Sequence, residues 1–316
     1  MALQTFAVLD TLKHAVISGR QRAGSLEVIH LQWPVGKGPA YVTLDEALGS
    51  HWIEIAESTE SGQVSQIKIM NHSEHMIFLM AGEQLVGAKQ NRVLNSSIMV
   101  PPKAEMPLPV TCVERGRWGY SSREFSSPGT SSHYRLRAMM SGQAHKSYRS
   151  SGMPISDQRE VWGEVSRKLG AMASPSRSDA MQDVYRNYEA KLKELEETLP
   201  PPADSNAAVF VVAGAVVGSD FFDKKETLRK LWPKLIRSCS LDALEQPAQN
   251  VTSTSADDIL TWLERSEKAT QEPFPSPGLG QDVRIEGEDV LGASLVLGDH
   301  PIHVELFHRT APPSAR

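Results

Sequence analysis

Cysteine is scarce. The 316 residues include only Cys112 and Cys239, with no CxxC pair, so neither a disulfide framework nor a cysteine zinc knuckle can be built. A reducing, cytoplasmic setting is the expectation. Long apolar runs are lacking too: the longest, AAVFVVAGAVVG (207–218), is well short of the roughly 20 residues a membrane-spanning helix needs, and it reads as buried strand. Asp10, Lys13 and His14 interrupt the hydrophobicity of the first residues, so export is not expected. Neither sign of charge dominates. Against 38 Asp and Glu stand 33 Lys and Arg, a net charge of -5, which argues against wholesale attraction to nucleic acid or an anionic membrane. There is no Walker loop, no GxSxG elbow and no GxGxxG after a strand, which sets those enzyme classes aside.

What is present is ample for a packed core: 40% hydrophobic residues in a length that suits one large domain or two ordinary ones. SLEVIHLQW (25–33) alternates like a half-buried strand, TLDEALGS (43–50) offers Thr43 and Glu46 as a capping box for a short helix, and WIEIAES (52–58) is a strand. From Gln63 to Trp118 the pattern is extended throughout, with short polar or proline turns, as in an antiparallel sandwich or barrel. Gly82 and Gly87 are placed for bends that re-aim neighbouring side chains.

Residues 119–156 are rich in Ser and Gly and carry Arg123, Arg135, Arg137, Lys146 and Arg149, which predicts a long basic loop; binding of a polyanion through it is the weakest reading. Helices are predicted at 156–170, capped by Asp157 with Glu160, and at 178–199, whose stripe of Met181, Val184, Tyr188, Leu192, Leu195 and Leu199 suits a core face or a protein partner. Then come a strand pair hinged near Gly214, a helix that Pro233 should kink or break, a short helix started by Ser255, a proline-rich linker and a last strand. The fold expectation is therefore α+β. An antiparallel β-rich unit (1–118) packs with a mainly helical second half (157–310) containing one strand pair, joined by the loop 119–156 and followed by a tail (311–316).

Chemistry concentrates in two stretches, GEQLVGAKQNRVLNSS (82–97) and PVTCVERGRW (109–118). Arg92 or Arg117 offers a rigid fork of donors for phosphate or carboxylate, Lys89 adds charge, Gln90 and Asn91 can read a base or ribose edge, and Trp118 can stack on a ring. Glu83 and Glu114 can divide acid and base roles in a hydrolysis. The structural alternative pairs Glu83 and Glu114 with Arg92 and Arg117 in a buried ion network that binds nothing. Cys112 reads as a strand cysteine, His72 with His75 as a weak metal pair, and Asp220 as an N-cap for the helix near Lys224 or Lys225, the other reading of it being a group at a cleft.

The two motifs, with QREVWGEVSRKLG (158–170), AGAVVGSDFF (213–222) and LWPKLIRS (231–238), resemble the domain family named for its association with ADP-ribosylglycohydrolases and rhodanese-phosphatases, over roughly residues 20 to 305. The resemblance implies a role near the metabolism of NAD-derived nucleotides or ADP-ribose, and supplies no catalytic residues. The expected function is a cytoplasmic domain that binds a small anionic nucleotide-like ligand through Lys89, Gln90, Asn91, Arg92, Arg117 and Trp118, with Glu83 and Glu114 as candidate catalytic groups and no metal. The alternative is a non-enzymatic scaffold that recruits a protein partner.

Overall fold

The computed structural model describes residues 8–246 and 254–309; the expected tail at 311–316 lies outside them. After a 3-10 turn (Leu9–His14) come β1 (Val16–Ala23), β2 (Leu26–Gln32), β3 (Tyr41–Thr43), α1 (Leu44–Gly49), β4 (Ile53–Glu57), β5 (Gln66–Asn71) and β6 (Met76–Leu79). Next are β7 (Gln84–Gly87), β8 (Arg92–Leu94), β9 (Ile98–Val100), β10 (Glu105–Cys112) and β11 (Phe125–Ser126). Four helices follow, α2 (Tyr134–Ser151), α3 (Gln158–Ala171), α4 (Met181–Asn187) and α5 (Glu189–Thr198). The chain continues as β12 (Ala207–Val212), β13 (Ala215–Phe222), α6 (Lys225–Glu245), α7 (Ala256–Ser266), β14 (Thr270–Pro275), β15 (Gln281–Glu286), β16 (Val290–Leu297) and β17 (His300–His308).

One antiparallel sheet of eight strands, in the order β1-β2-β12-β13-β17-β16-β15-β14, is the central wall. Both of its faces are covered, so alternate residues of one strand enter different cores. Val28 and Phe210 pack with Trp232 and Leu235 of α6, whereas Ile29 and Val209 pack with Ile259 and Trp262 of α7. That two-sided burial is why 207–212 reads as an unbroken apolar run. It also corrects the expected half-exposure of β2, in which only Gln32 is exposed.

The N-terminal β-rich unit forms as two smaller sheets, β11-β7-β8-β10-β5-β4 and β3-β6-β9, which share one core of Ile55, Ile69, Ile77, Leu79, Leu94 and Val110. Pairing is antiparallel except between β3 and β6, which run parallel. The Thr43 cap forms as expected, with the Thr43 N–H donating to Glu46 Oε2 at 2.9 Å.

Several expectations are corrected. The second half is not mainly helical with one strand pair, because β12 to β17 supply six strands of the central sheet. Pro273 and Pro275, which suggested a linker, lie in β14 at the sheet edge, where a missing N–H costs no ladder bond. The basic stretch is not a loop throughout, since α2 occupies its second half. The face α2 buries includes Arg137, Ser141 and His145 beside Tyr134, Met140, Ala144 and Tyr148, so polar residues at core positions hid the helical period. The helix expected at 178–199 is two helices meeting at Tyr188, and α6 runs unbroken through Pro233.

Candidate functional site

The β7–β8 hairpin carries the first motif, and two bends shape it. Gly82 (φ +85) and Gly87 (φ +121) adopt left-handed backbone; a Cβ on Gly87 would sit 2.4 Å from Ser122 Oγ and 2.7 Å from the Glu124 carbonyl. The close approach of 122–125 to this hairpin therefore depends on glycine. Asn91, Glu114 and Arg117 meet here. Glu114 Oε2 accepts from the Asn91 N–H at 3.1 Å and from Arg117 Nη2 at 2.6 Å, and its Oε1 accepts from Arg117 Nε and from Ser178 Oγ. Burial pushes the Glu114 carboxyl up, but the bonds from Arg117, Ser178 and Asn91 outweigh it and hold the group below the usual carboxylate range.

Arg117 also donates to the carbonyls of Ala88, Gly119 and Gly87 and to Asn91 Oδ1, so its fork is spent on fixing the hairpin and the 117–121 loop. It forms one wall of an open cleft of about 510 Å³, with Asn91, Glu114, Ser121, Ser122, Ser126, Gln182 and Arg186. Arg186 projects to solvent there, its side chain 68% exposed and paired with Asp183. Trp118 and Tyr120 do not line this cleft; they are half-exposed, at 50% and 52%, and Lys89 Nζ lies 5.7 Å and 5.0 Å from their ring centroids.

The other proposed ligand and catalytic groups lie deeper. Arg92 is fully buried; it donates to Gln90, to the Gln63 carbonyl and to Glu57 Oε1 at 3.4 Å, and lies 5.7 Å from the Trp118 ring. Gln90 donates weakly to the Arg115 carbonyl. Glu83 is fully buried and takes its bonds from Lys234 of α6 and from the Met80 N–H. Glu83 and Glu114 share no partner. Of the ion pairs expected for the structural alternative, Glu114 with Arg117 forms, while Glu83 pairs with Lys234 and Arg92 with Glu57. Cys112 is buried in β10 and its thiol is pushed up to about 11 by burial, which opposes a thiolate. His72 and His75 gather no third ligand, and no group of three metal-ligating side chains occurs among the described residues.

Sequence reading missed a second polar cluster, built on the inner face of the central sheet. Asp220 is not a helix cap: it points from β13 into the core, where it accepts from Arg137 Nη2 at 2.6 Å, from the Tyr134 hydroxyl and from His303 Nε2 at 3.0 Å. Burial would raise its carboxyl, yet Arg137 and His303 hold it far below the usual range. His303 Nδ1 in turn lies 2.8 Å from Ser97 Oγ. Glu305, across the ladder from Asp220, binds Arg137 Nη2 at 2.9 Å. Alongside, His133, Lys168 and Asp242 form another buried set, with Lys168 bound to Asp242 Oδ1 at 2.7 Å. Between α2, α6 and the sheet an apolar-walled cavity of about 290 Å³ adjoins Tyr134 and Asp242. The one hint in the sequence was the charge of Asp220 at the end of a strongly apolar strand.

A family match runs through these elements: residues 14–307 fit the ARG and Rhodanese-Phosphatase-superfamily-associated Protein domain. The chain belongs to that family. The match takes in both motifs, the central sheet and the Asp220 cluster. No curated protein and no solved structure matches. Among the described residues no helix is long and apolar enough to cross a membrane.

Proposed function

We propose that this protein binds a small anionic, nucleotide-like ligand in the cleft lined by Asn91, Arg117, Ser121, Ser122, Ser126, Gln182 and Arg186, and serves the metabolism of NAD-derived nucleotides or ADP-ribose. The observation that carries the reading is the cleft itself, whose rim joins two guanidinium groups, three serine hydroxyls and two side-chain amides. Hydroxyls, amides and a solvent-facing guanidinium are donors for phosphate oxygens. The division of labour differs from the expected one: Arg117 holds the wall and Arg186 meets the anion. The family name, with its link to ARG proteins, supports the metabolic setting.

The test is a thermal-shift series with NAD, ADP-ribose, AMP and inorganic phosphate on the parent and on Arg186→Ala. Ligand that prefers the folded chain raises its melting temperature, by about 2.7 kcal/mol of added stability at a hundredfold excess over Kd. A shift in the parent that disappears in a variant of unchanged intrinsic stability is the expected result. No shift with any compound, or a shift that survives Arg186→Ala, would refute the site.

A second reading has its own observation. The buried pairs of Glu83 with Lys234 and Arg92 with Glu57 behave as structural ion pairs, which favours a non-enzymatic scaffold. The 178–199 stripe does not supply its docking face, because Met181, Val184 and Leu192 are buried in the core with α3.

A further inference from the structure

We propose that Ser97 is a nucleophile, activated by His303 and oriented through Asp220, which attacks the carbonyl of a small carboxylic ester. The assignment stands independently of ligand binding at the Asn91 cleft. Three segments far apart in sequence meet to build it. Ser97 ends the turn before β9, His303 lies in β17 and Asp220 in β13. Ser97 Oγ is 2.8 Å from His303 Nδ1, and His303 Nε2 is 3.0 Å from Asp220 Oδ1. A nucleophile in hydrogen-bond reach of a base, itself oriented by a third group, defines the constellation by role and not by sequence order. Here the two ring nitrogens exchange the roles they have in chymotrypsin-type triads, which leaves each group's task unchanged.

The surroundings fix each part. Asp220 is held anionic by Arg137 and the Tyr134 hydroxyl, so it accepts, and His303 must carry its proton on Nε2. In the neutral imidazole that arrangement leaves Nδ1 with its lone pair facing the Ser97 hydroxyl. Rotation of the imidazole is blocked, since it stacks on Phe222 at 4.6 Å between centroids with an interplanar angle of 17° and meets Phe78 edge-on. The Ala81 N–H donates to Ser97 Oγ at 3.0 Å and sets its rotamer. All three groups are buried, Ser97 the least so: it keeps 8% of its surface, His303 1% and Asp220 none.

The step balances. Ser97 Oγ bonds to the acyl carbon while its proton passes to His303 Nδ1, and the ionised Asp220 stabilises the imidazolium. The ester C–O bond breaks and the departing alcohol takes that proton. Water then attacks the acyl-serine, with His303 as base, and releases the acid and the free hydroxyl.

The full-length chain is incubated with a fluorophosphonate probe, in which a Ser–O–P bond forms as P–F breaks and fluoride leaves, and the adduct is located by intact mass and peptide mapping. One adduct at Ser97 is expected, absent in Ser97→Ala. His303→Gln, whose fold is checked by its melting curve, should label about 100-fold more slowly, the scale of a lost general base. Hydrolysis of p-nitrophenyl acetate should fall in both variants. An adduct elsewhere, no adduct, or unchanged labelling of a folded His303→Gln variant would each overturn the proposal. Should His303→Gln not fold, the parent's labelling rate against pH decides: a rise as a single base loses its proton supports activation by His303, and a flat profile refutes it.

Discussion

Lys234 of α6 donates to Glu83 on the β6–β7 turn at the junction of the central sheet and the N-terminal β unit, where Glu83 is fully buried and the Lys234 side chain is 2% exposed. Lys234 also reaches Asp45 Oδ1 at 2.7 Å. Burial pushes the Glu83 carboxyl up and Lys234 counters it, so each charge is tolerated because the other is present. Removing one member strands the other in a buried site.

Glu83→Gln should therefore destabilise the protein by about 3 kcal/mol, the lower end for a broken buried pair, since Asp45 still faces Lys234. Urea unfolding at neutral pH measures it through the midpoint at constant slope. A folded variant of unchanged stability that loses activity would return Glu83 to a chemical role.

His30 supplies the pH dependence. It lies on β2, packs against Trp232 with ring centroids 5.4 Å apart, and neither ring nitrogen has a hydrogen-bond partner. Burial lowers its pKa from 6.5 to about 4. As the pH falls below 6.5 the unfolded chain takes up a proton that the folded chain refuses, so this stability is complete above 6.5 and is lost as the pH approaches 4. His30→Phe should flatten the dependence of the urea midpoint on pH across that window. Parallel curves for parent and variant would refute the assignment.

Much of the fold was legible because local rules and tertiary packing agreed. The 207–222 hairpin is one case: its turn residues Ala213 and Gly214 both have positive φ, and the flanking valines alternate between two cores. The α2 helix was hidden for the opposite reason. Arg137 and His145 occupy buried helical positions that a hydrophobic pattern marks as surface, and they are accommodated by Asp220, Glu305, Glu272 and Glu286 from distant strands. Asp220 was visible as a lone charge, but its partners lie 83 to 86 residues away, beyond any local rule. Asn91, Glu114 and Arg117 were visible only within a larger set that included Glu83, Lys89, Gln90, Arg92 and Trp118, and the structure divides that set, pairing Glu83 with Lys234 and Arg92 with Glu57. What spacing could not convey is that Arg117 spends its donors on neighbouring carbonyls, which makes it a clamp in the cleft wall.

That clamp separates the two guanidinium groups of the cleft by experiment. Arg117→Ala removes the bidentate partner of Glu114, whose side chain is 6% exposed, and frees the carbonyls of Gly87, Ala88 and Gly119 that shape the rim. Ser178 and the Asn91 N–H still bind the carboxylate, so the loss is partial: about 2 kcal/mol, the scale of hydrogen bonds to a charged group. Arg117→Lys should recover little of it, because an ammonium cannot reproduce the fork. Arg186→Ala should leave stability within about 0.5 kcal/mol, as expected of an exposed ion pair. Chemical denaturation of the three variants side by side distinguishes these roles. Equal losses for Arg117→Ala and Arg186→Ala, or none for either, would mean that the Glu114–Arg117 pair does not hold the cleft together.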